Sequence, residues 1–286
     1  MDLAVEQVLR PRDLDEALDL LAAQPEARPL AGGTDLVVQL RAGRSRAAVL
    51  INLGALGLAG IDDRPDGALA IGAGTTMAAI ACDPRIRTRH PALAAAAGLV
   101  GAWPIQCRAT LGGNLANASP AADTVPALLV ADARIELATS GARRQLPLDQ
   151  FFRGPGATAL DRGELILSIV LPPPPSGRVV ERFAKVGPRP QQIIAVVSLA
   201  GRAVVVSGGR LTEVRLALGA VAPTPVRARR AEAVLERATP GPGTHRAAIT
   251  AIQADIAPID DVRAPARYRR LAAAVLLERF LEACRG

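Results

Sequence analysis

Apolar residues recur three and four positions apart in several stretches of the chain, and this spacing predicts amphipathic helices. The first helix carries Leu14, Leu18 and Leu21 on one face, behind an Asp13-x-x-Glu16 pair that resembles a capping box. Further helices are predicted over residues 36–40, 77–82, 92–99, 125–130, 231–237, 246–256 and 266–283. The helix over 36–40 should end near Gly43.

Other stretches alternate between apolar and polar residues or run continuously apolar, which is typical of strands. Strands are predicted over residues 47–51, 58–61, 68–71, 133–138, 165–171, 179–185, 193–206 and 211–218. The second and third should form a hairpin around Pro65-Asp66-Gly67. In the last helix we expect Leu271, Val275 and Leu276 to share one face.

A proline-rich run divides the chain. Residues 172–177 read Pro-Pro-Pro-Pro-Ser-Gly, which neither a helix nor a strand interior accommodates. The three strands beyond it are most simply joined as an antiparallel meander. We therefore predict an α+β protein with two domains, residues 1–175 and 178–284.

Two glycine pairs carry the candidate chemistry. Positions 30–36 read Leu-Ala-Gly-Gly-Thr-Asp-Leu, and positions 110–114 read Thr-Leu-Gly-Gly-Asn. Consecutive glycines accept positive φ and let several N–H groups point into one concavity, which suits a diphosphate. In the first run Thr34 or Asp35 could cap the following helix, and the phosphates would lie at that helix start. Either pair alone is more often a tight turn, but two in one chain favour an anion-binding site.

A third glycine motif is weaker. Residues 70–77 lead from a strand through Gly72-x-Gly74 toward a helix, as in nicotinamide-binding proteins. The third glycine position is Met77, and the acidic residue expected about 20 positions further on is absent. We interpret this segment as a strand-to-helix turn.

The composition disfavours several classes of function. Half of the 286 residues are hydrophobic and only 2% are aromatic, so Ala, Leu, Val and Ile must form the core. The net charge of +7 comes mainly from scattered arginines without interleaved aromatics, which favours a solvated basic surface over a nucleic-acid partner. Cys82, Cys107 and Cys284 are far apart and His90 and His245 are the only histidines, which argues against disulfides, clusters and metal sites.

The sequence also predicts location. The N-terminus lacks the pattern of a signal peptide, and no apolar run approaches the ~20 residues that span a bilayer. We expect a cytoplasmic protein without a membrane span.

The sequence leaves the roles of two charged residues undecided. Lys185, the one lysine, is either a point charge near a ligand or an ordinary surface residue, and Asp123 either accepts from a ligand hydroxyl or caps the helix that begins at Thr124.

Four sets of residues together resemble a known family. They are Ala-Gly-Gly-Thr-Asp-Leu at 31–36, Thr-Leu-Gly-Gly-Asn at 110–114, Asp123, and Asp-Val-Arg at 261–263 followed by Tyr-Arg-Arg at 268–270. In this order they resemble the FAD-binding medium subunit of the molybdenum hydroxylases, the family of carbon monoxide dehydrogenase and xanthine dehydrogenase. The resemblance covers essentially the whole chain.

The resemblance implies a fold and a cofactor site. It implies a two-part FAD-binding domain of the vanillyl-alcohol oxidase (PCMH) type, followed by a small domain with a three-stranded antiparallel sheet and helices. The implied cofactor-binding residues are Pro29, Leu30, Ala31, Gly32, Gly33, Thr34, Asp35, Leu36, Thr110, Leu111, Gly112, Gly113, Asn114, Asp123, Ile166 and Lys185. It implies neither a catalytic acid or base nor a metal ligand in this chain. The role of Tyr268 stays open between packing and ligand contact.

The resemblance also implies partners. These are a small subunit with two [2Fe–2S] clusters and a large molybdopterin subunit, assembled as a dimer of heterotrimers. Electrons would pass from the clusters through FAD to NAD+, a quinone or oxygen. Residues 104–107 read Pro-Ile-Gln-Cys where the family usually reads Gln-Ile-Arg-Asn, which leaves open what this segment contacts. The alternatives are a stand-alone FAD-dependent oxidase or reductase, disfavoured by the scarcity of His and Tyr, and a scaffold without FAD, disfavoured by the intact glycine runs.

Overall fold

The computed structural model describes residues 5–189 and 192–285. The chain begins with a small parallel sheet in the strand order β1-β3-β2, accompanied by two helices. These elements are β1 (Gln7–Leu9), α1 (Leu14–Ala23), β2 (Arg28–Leu30), α2 (Leu36–Arg41) and β3 (Val49–Asn52). Asp13 caps α1 by accepting from the Glu16 N–H at 2.9 Å, as predicted. The Glu16 carboxylate accepts from the Arg12 N–H at 2.7 Å, one residue before the position that a capping box requires.

A five-stranded antiparallel sheet and six short helices follow. The sheet has the order β4-β5-β10-β6-β7, and β8 and β9 form a separate hairpin. The elements are β4 (Ile61–Asp63), β5 (Leu69–Gly72), α3 (Met77–Cys82), α4 (Pro84–Arg89), α5 (Pro91–Ala97), α6 (Trp103–Gln106), α7 (Leu111–Ala116), α8 (Thr124–Val130), β6 (Arg134–Ala138), β7 (Arg143–Pro147), β8 (Phe152–Gly154), β9 (Ala157–Thr158) and β10 (Leu165–Leu171). The predicted hairpin around residues 65–67 is present, but its first strand, β4, begins three residues later than the predicted strand over 58–61.

The core of this second part is made mostly of short aliphatic side chains. Ile71, Leu93, Leu128 and Ile135 are buried between the sheet and the helices, and Phe151 is the one fully buried aromatic residue among its large core side chains. The alanine-rich helix α5 approaches both α3 and the strand β11 described next. Small side chains therefore let the helices of this part pack closely on the rest of the chain.

The remaining residues form an antiparallel sheet covered by helices. Its strands and helices are β11 (Arg178–Val186), β12 (Val197–Val206), β13 (Arg210–Gly219), β14 (Val226–Arg227), α9 (Arg229–Leu235), α10 (Pro242–Asp255) and α11 (Ala266–Arg285). The predicted meander is confirmed for three strands, and a two-residue strand, β14, adds a fourth. β12 begins four residues later than expected, which frees residues 193–196 for other contacts.

The predicted face of α11 is wrong. Leu276 is buried as expected, but Leu271 is 62% exposed. The helix packs on β12 with Leu276, Leu277 and Phe280 in the core, and Gly201 on β12 leaves the space that the Phe280 ring occupies. A Cβ atom on Gly201 would lie 2.6 Å from that ring.

Charged contacts join the two halves of the chain. Asp132, which follows α8, accepts from the guanidinium groups of Arg202, Arg215 and Arg227 at 3.0, 3.1 and 3.0 Å. Arg227 also pairs with Glu232 at 2.6 Å. One carboxylate thus ties the second part to three strands of the last sheet. Within the part of the chain that the structure describes, no helix is both long and apolar enough to cross a membrane.

Candidate functional site

A single cleft of about 1260 Å³ brings the two glycine runs together. It is larger than the roughly 300–1,000 Å³ of an ordinary small-molecule site, as an elongated dinucleotide requires. The predicted residues that line it are Pro29, Leu30, Ala31, Gly32, Gly33, Thr34, Asp35, Leu36, Thr110, Gly112, Gly113, Asn114, Asp123 and Ile166. Leu111 is buried in the core, and neither it nor Lys185 lines the cleft.

The first run forms a turn between β2 and α2 with open main-chain donors. Gly33 has a φ of +75°, a conformation that favours glycine. Among the residues that the structure describes, none accepts a hydrogen bond from the N–H groups of residues 31–36. The predicted cap is wrong, because Asp35 makes no side-chain cap and Thr34 does not replace it. These successive N–H groups are therefore available to an anion in the cleft.

The second run differs from the expectation of an open loop. Gly112 and Gly113 lie in the first turn of α7 with ordinary negative φ, and Thr110 caps that helix. The Gly112 N–H donates to the Ala73 carbonyl at 2.8 Å, and the Gly113 N–H donates to Thr110 Oγ1 at 3.1 Å. These N–H groups are already paired within the protein. A Cβ on Gly112 would lie 2.7 Å from Ala73 Cβ, so glycine serves close packing here.

The first run packs against the residues just before the second run. A Cβ on Gly32 would lie 1.9 Å from the Arg108 carbonyl oxygen and 3.2 Å from Ala109 Cα. The first turn therefore rests directly on the residues that precede Thr110. A side chain at position 32 would push the two walls of the cleft apart, which explains why this position requires glycine.

Asp123 and Lys185 form a buried ion pair at one wall of the cleft. Lys185 Nζ lies 2.7 Å from Asp123 Oδ2, and the side chains are 3% and 8% exposed. Nζ also donates to the carbonyls of Leu99 at 2.9 Å and Ile193 at 3.4 Å. Lys185 is therefore not an ordinary surface residue, and Asp123 makes no side-chain cap on α8. The interpretations of Lys185 as a surface lysine and of Asp123 as a helix cap are wrong.

Asp123 keeps one oxygen free. Burial raises the pKa of its carboxyl group, and the hydrogen bond and charge of Lys185 oppose that shift. No described residue donates to Asp123 Oδ1, which is buried. A buried acceptor without a partner is costly, and Asp123 lines the cleft, so a ligand hydroxyl or N–H there would satisfy it.

Further lining residues have no distinctive sequence pattern. The carbonyl of Leu58 accepts from the Gly74 N–H at 2.7 Å, and a Cβ on Gly72 would lie 2.3 Å from that same oxygen. The Gly72-x-Gly74 segment is thus a strand-to-helix turn, as interpreted, and its glycines let the 57–59 segment approach the cleft. Ile193 and Ile194, predicted within a strand, also line the cleft.

An apolar rim adjoins the cleft. Trp103 is 60% exposed, and Ile105 and Ile194, which line the cleft, are 41% and 53% exposed. Cys107 is exposed and lines the same cleft. The segment 104–107 therefore lies at the mouth of the site.

Comparisons with known proteins agree along the whole chain. Residues 4–174 match the family model of the FAD-binding domain in molybdopterin dehydrogenase, and residues 182–284 match that of the CO dehydrogenase flavoprotein C-terminal domain. The xanthine dehydrogenase FAD-binding subunit of Escherichia coli O157:H7 is 33% identical over 91% of this chain and 89% of its own. The carbon monoxide dehydrogenase medium chain of Afipia carboxidovorans is 31% identical over 96% and 94%.

Solved structures share the fold. Carbon monoxide dehydrogenase from Hydrogenophaga pseudoflava superposes with a TM-score of 0.94 at 29% identity, over 99% of this chain and 98% of that one. Quinoline 2-oxidoreductase from Pseudomonas putida 86 superposes with a TM-score of 0.92 at 26% identity, over 99% and 98%.

The fold, the cleft and these matches define the class as a flavoprotein subunit of an oxidoreductase with FAD as its cofactor. More particularly, the chain belongs to the carbon monoxide and xanthine dehydrogenase family, as an FAD-binding medium subunit.

Proposed function

We propose that this chain passes electrons through FAD from the [2Fe–2S] clusters of a small partner subunit to an external acceptor, while a large molybdopterin subunit oxidises the substrate. The observation that carries the proposal is one cleft lined by both glycine runs, in which the N–H groups of residues 31–36 have no acceptor among the described residues. FAD accepts electrons singly or in pairs and so can join one-electron clusters to a two-electron acceptor.

The residues fit FAD in a definite way. The N–H groups of residues 31–36 would hold the diphosphate, and Thr110, Gly112, Gly113 and Asn114 would also line its site. Asp123 Oδ1 would accept from a hydroxyl or N–H of the cofactor, and Ile166 on β10 would pack against it. Leu111 and Lys185 act indirectly, the first by anchoring α7 in the core and the second by holding Asp123 in place.

The domain division and the assembly belong to the same proposal. We assign residues 1–175 to the FAD-binding domain and 178–284 to the C-terminal domain, a division supported by the family matches over 4–174 and 182–284. The relatives named medium chain or medium subunit support a complex with other subunits, for which we propose a dimer of heterotrimers. Two exposed free cysteines, Cys82 and Cys107, fit a reducing compartment, and we place the complex in the cytoplasm.

A stand-alone FAD-dependent oxidase is the second candidate. It requires a group that moves a substrate proton at the cleft, and neither His90 nor His245 lines the cleft. Iron and molybdenum analysis of the complex purified from its host separates the candidates. Co-purifying subunits that carry both metals support the electron-transfer subunit, and a flavin-loaded chain that purifies alone contradicts it.

FAD uptake tests the cleft itself. In Gly32→Ala the new Cβ must displace the Arg108 carbonyl, so we expect affinity for FAD to fall at least about tenfold, or 1.4 kcal/mol. The matched control is Gly141→Ala, because nothing lies within 4 Å of its Cβ. Quenching of Trp103, the single tryptophan, and the bound-flavin spectrum both report uptake.

Unfolding of the FAD-free proteins distinguishes a lost site from a lost fold. If Gly32→Ala folds and binds FAD as tightly as Gly141→Ala does, the first run is not part of the binding site.

A further inference from the structure

A second depression lies outside the FAD cleft, between the segment after β11 and the outer face of α11. We name it the α11 groove, with a volume of about 570 Å³, and its walls include Pro188, Arg189, Tyr268, Leu271, Val275 and Arg279. Two of its lining residues, Tyr268 and Lys185, belong to the family resemblance, but the proposed electron transfer does not use the groove itself. Its floor is an apolar row of Tyr268, Leu271 and Val275, which at 1.5 Å per residue extends over about 10 Å of the helix.

Two of the three residues in the apolar row are exposed, and Val275 is partly buried. Tyr268 is 45% and Leu271 is 62% exposed, although both lie on a helix whose opposite face is fully packed. Val262, which is wholly exposed, lies near the start of the same helix, because Asp261 accepts from Arg269 at 2.7 Å. Exposed apolar side chains that are grouped together on a globular protein mark an interaction site more often than side chains scattered singly.

Two arginines of the groove indicate the charge of the segment that it would bind, whereas Lys185 is already paired with Asp123. Arg189 donates one hydrogen bond, to the Gln192 carbonyl at 2.6 Å. Within residues 5–189 and 192–285, neither Arg189 nor Arg279 forms an ion pair. Each guanidinium group therefore has donors for carboxylates, and the groove presents an apolar floor between positive charges.

We propose that the α11 groove docks a segment of a partner subunit in which carboxylates flank an apolar side chain. This proposal rests on the proposed function insofar as that function requires partner subunits. An exposed row along a helix suits an extended or helical polypeptide, which buries apolar side chains at intervals of three and four residues. Lys185 also borders the groove, so docking there would bring the partner to the strand that supports Asp123 at the FAD cleft.

Chemical modification tests the docking directly, because Tyr268 is the only tyrosine of the chain. Nitration by tetranitromethane is followed by mass spectrometry of this chain, isolated and within the complex purified from its host. We expect nitration of Tyr268 to slow by about tenfold or more in the complex, the change that about 1.4 kcal/mol of protection produces. A tyrosine introduced by Gly141→Tyr, at an open turn of the other half, supplies an exposed reference.

Equal nitration of Tyr268 in the isolated chain and in the complex would overturn the proposal. So would protection of the isolated chain by ADP alone, which would indicate a nucleotide site. If the purified complex carries FAD, iron and molybdenum while Tyr268 stays reactive, the docking inference fails and the proposed function survives.

Charge reversal provides a second test. In Leu271→Asp/Arg279→Glu we expect the affinity of the chain for its partner subunits to fall about a hundredfold, or 2.7 kcal/mol, with FAD uptake unchanged. The control is Arg267→Glu, an exposed arginine on the same helix outside the groove. Assembly of the double variant equal to that of the control would contradict the docking.

Discussion

Replacing Lys185 with methionine keeps the length of the side chain and removes its charge. Asp123 would then stay buried without its partner at 2.7 Å, and the carbonyls of Leu99 and Ile193 would each lose a donor. Removing one member of a buried ion pair costs about 3–5 kcal/mol, so we expect the free energy of unfolding of the FAD-free protein to fall by that amount at pH 8. Urea unfolding measures this loss.

The size of the loss should depend on pH. Without Lys185, burial raises the pKa of Asp123 further, because only the opposing effect of the lysine is removed. A carboxyl group whose pKa is higher in the folded protein than in the unfolded chain contributes stability at low pH and loses it as the pH rises. Lys185→Met should therefore be less destabilised at pH 5 than at pH 8, with a slope of at most about 1.4 kcal/mol per pH unit.

A double-mutant cycle with Asp123→Asn separates the pair from its surroundings. The double variant has no buried charge at this position, so its loss of stability should be smaller than the sum of the two single losses by about 2 kcal/mol or more. Asp123→Asn alone should also weaken FAD binding, since it alters the free oxygen at the cleft. Strictly additive losses, or a Lys185→Met protein within about 1 kcal/mol of wild type, would refute the ion-pair argument.

Two further predictions concern charged or titratable groups elsewhere. Burial raises the pKa of Glu181 from 4.5 to about 7 and lowers that of His90 from 6.5 to about 3. Between pH 4.5 and 6.5 a rising pH therefore lowers stability through Glu181 and raises it through His90. In Glu181→Gln only the effect of His90 remains, so the free energy of unfolding should rise with pH through that window by up to about 1.4 kcal/mol per pH unit. Urea unfolding at several pH values measures this slope, and a slope equal to that of wild type would contradict the prediction. Asp132→Ala leaves three arginines without their shared acceptor. Because the Asp132 side chain is 41% exposed, water screens these pairs, and we expect a loss of about 1–2 kcal/mol in the same assay, whereas Asp15→Ala, at an exposed position on α1, should change little.

Local signals in the sequence determine much of the fold. The cap at Asp13 and the apolar spacing after it predict α1, and the alternation around Pro65-Asp66-Gly67 predicts the hairpin of β4 and β5. Both features depend on residues that are neighbours in the sequence, where propensity and turn chemistry act directly. The meander of β11 to β13 was predictable for the same reason.

The site is harder to predict from the sequence, because its contacts join residues that are far apart in the sequence. Gly32 is glycine because Arg108 approaches it, and Gly112 because Ala73 does, neither of which a local pattern reveals. Lys185 reaches Asp123 across 62 positions, so its burial could not be inferred from composition. The prediction that Leu271 lies on the buried face of α11 was wrong for the same reason. Its exposure depends on how the helix packs on β12, which is distant in the sequence.

The central claim is that the N–H groups of residues 31–36 hold the diphosphate of FAD against the wall formed by residues 108–114. An experimental structure of the chain with bound FAD tests it most directly. The account predicts diphosphate oxygens within about 3.2 Å of at least two of those nitrogens. A diphosphate bound elsewhere in the cleft, with these N–H groups facing only water, would contradict it.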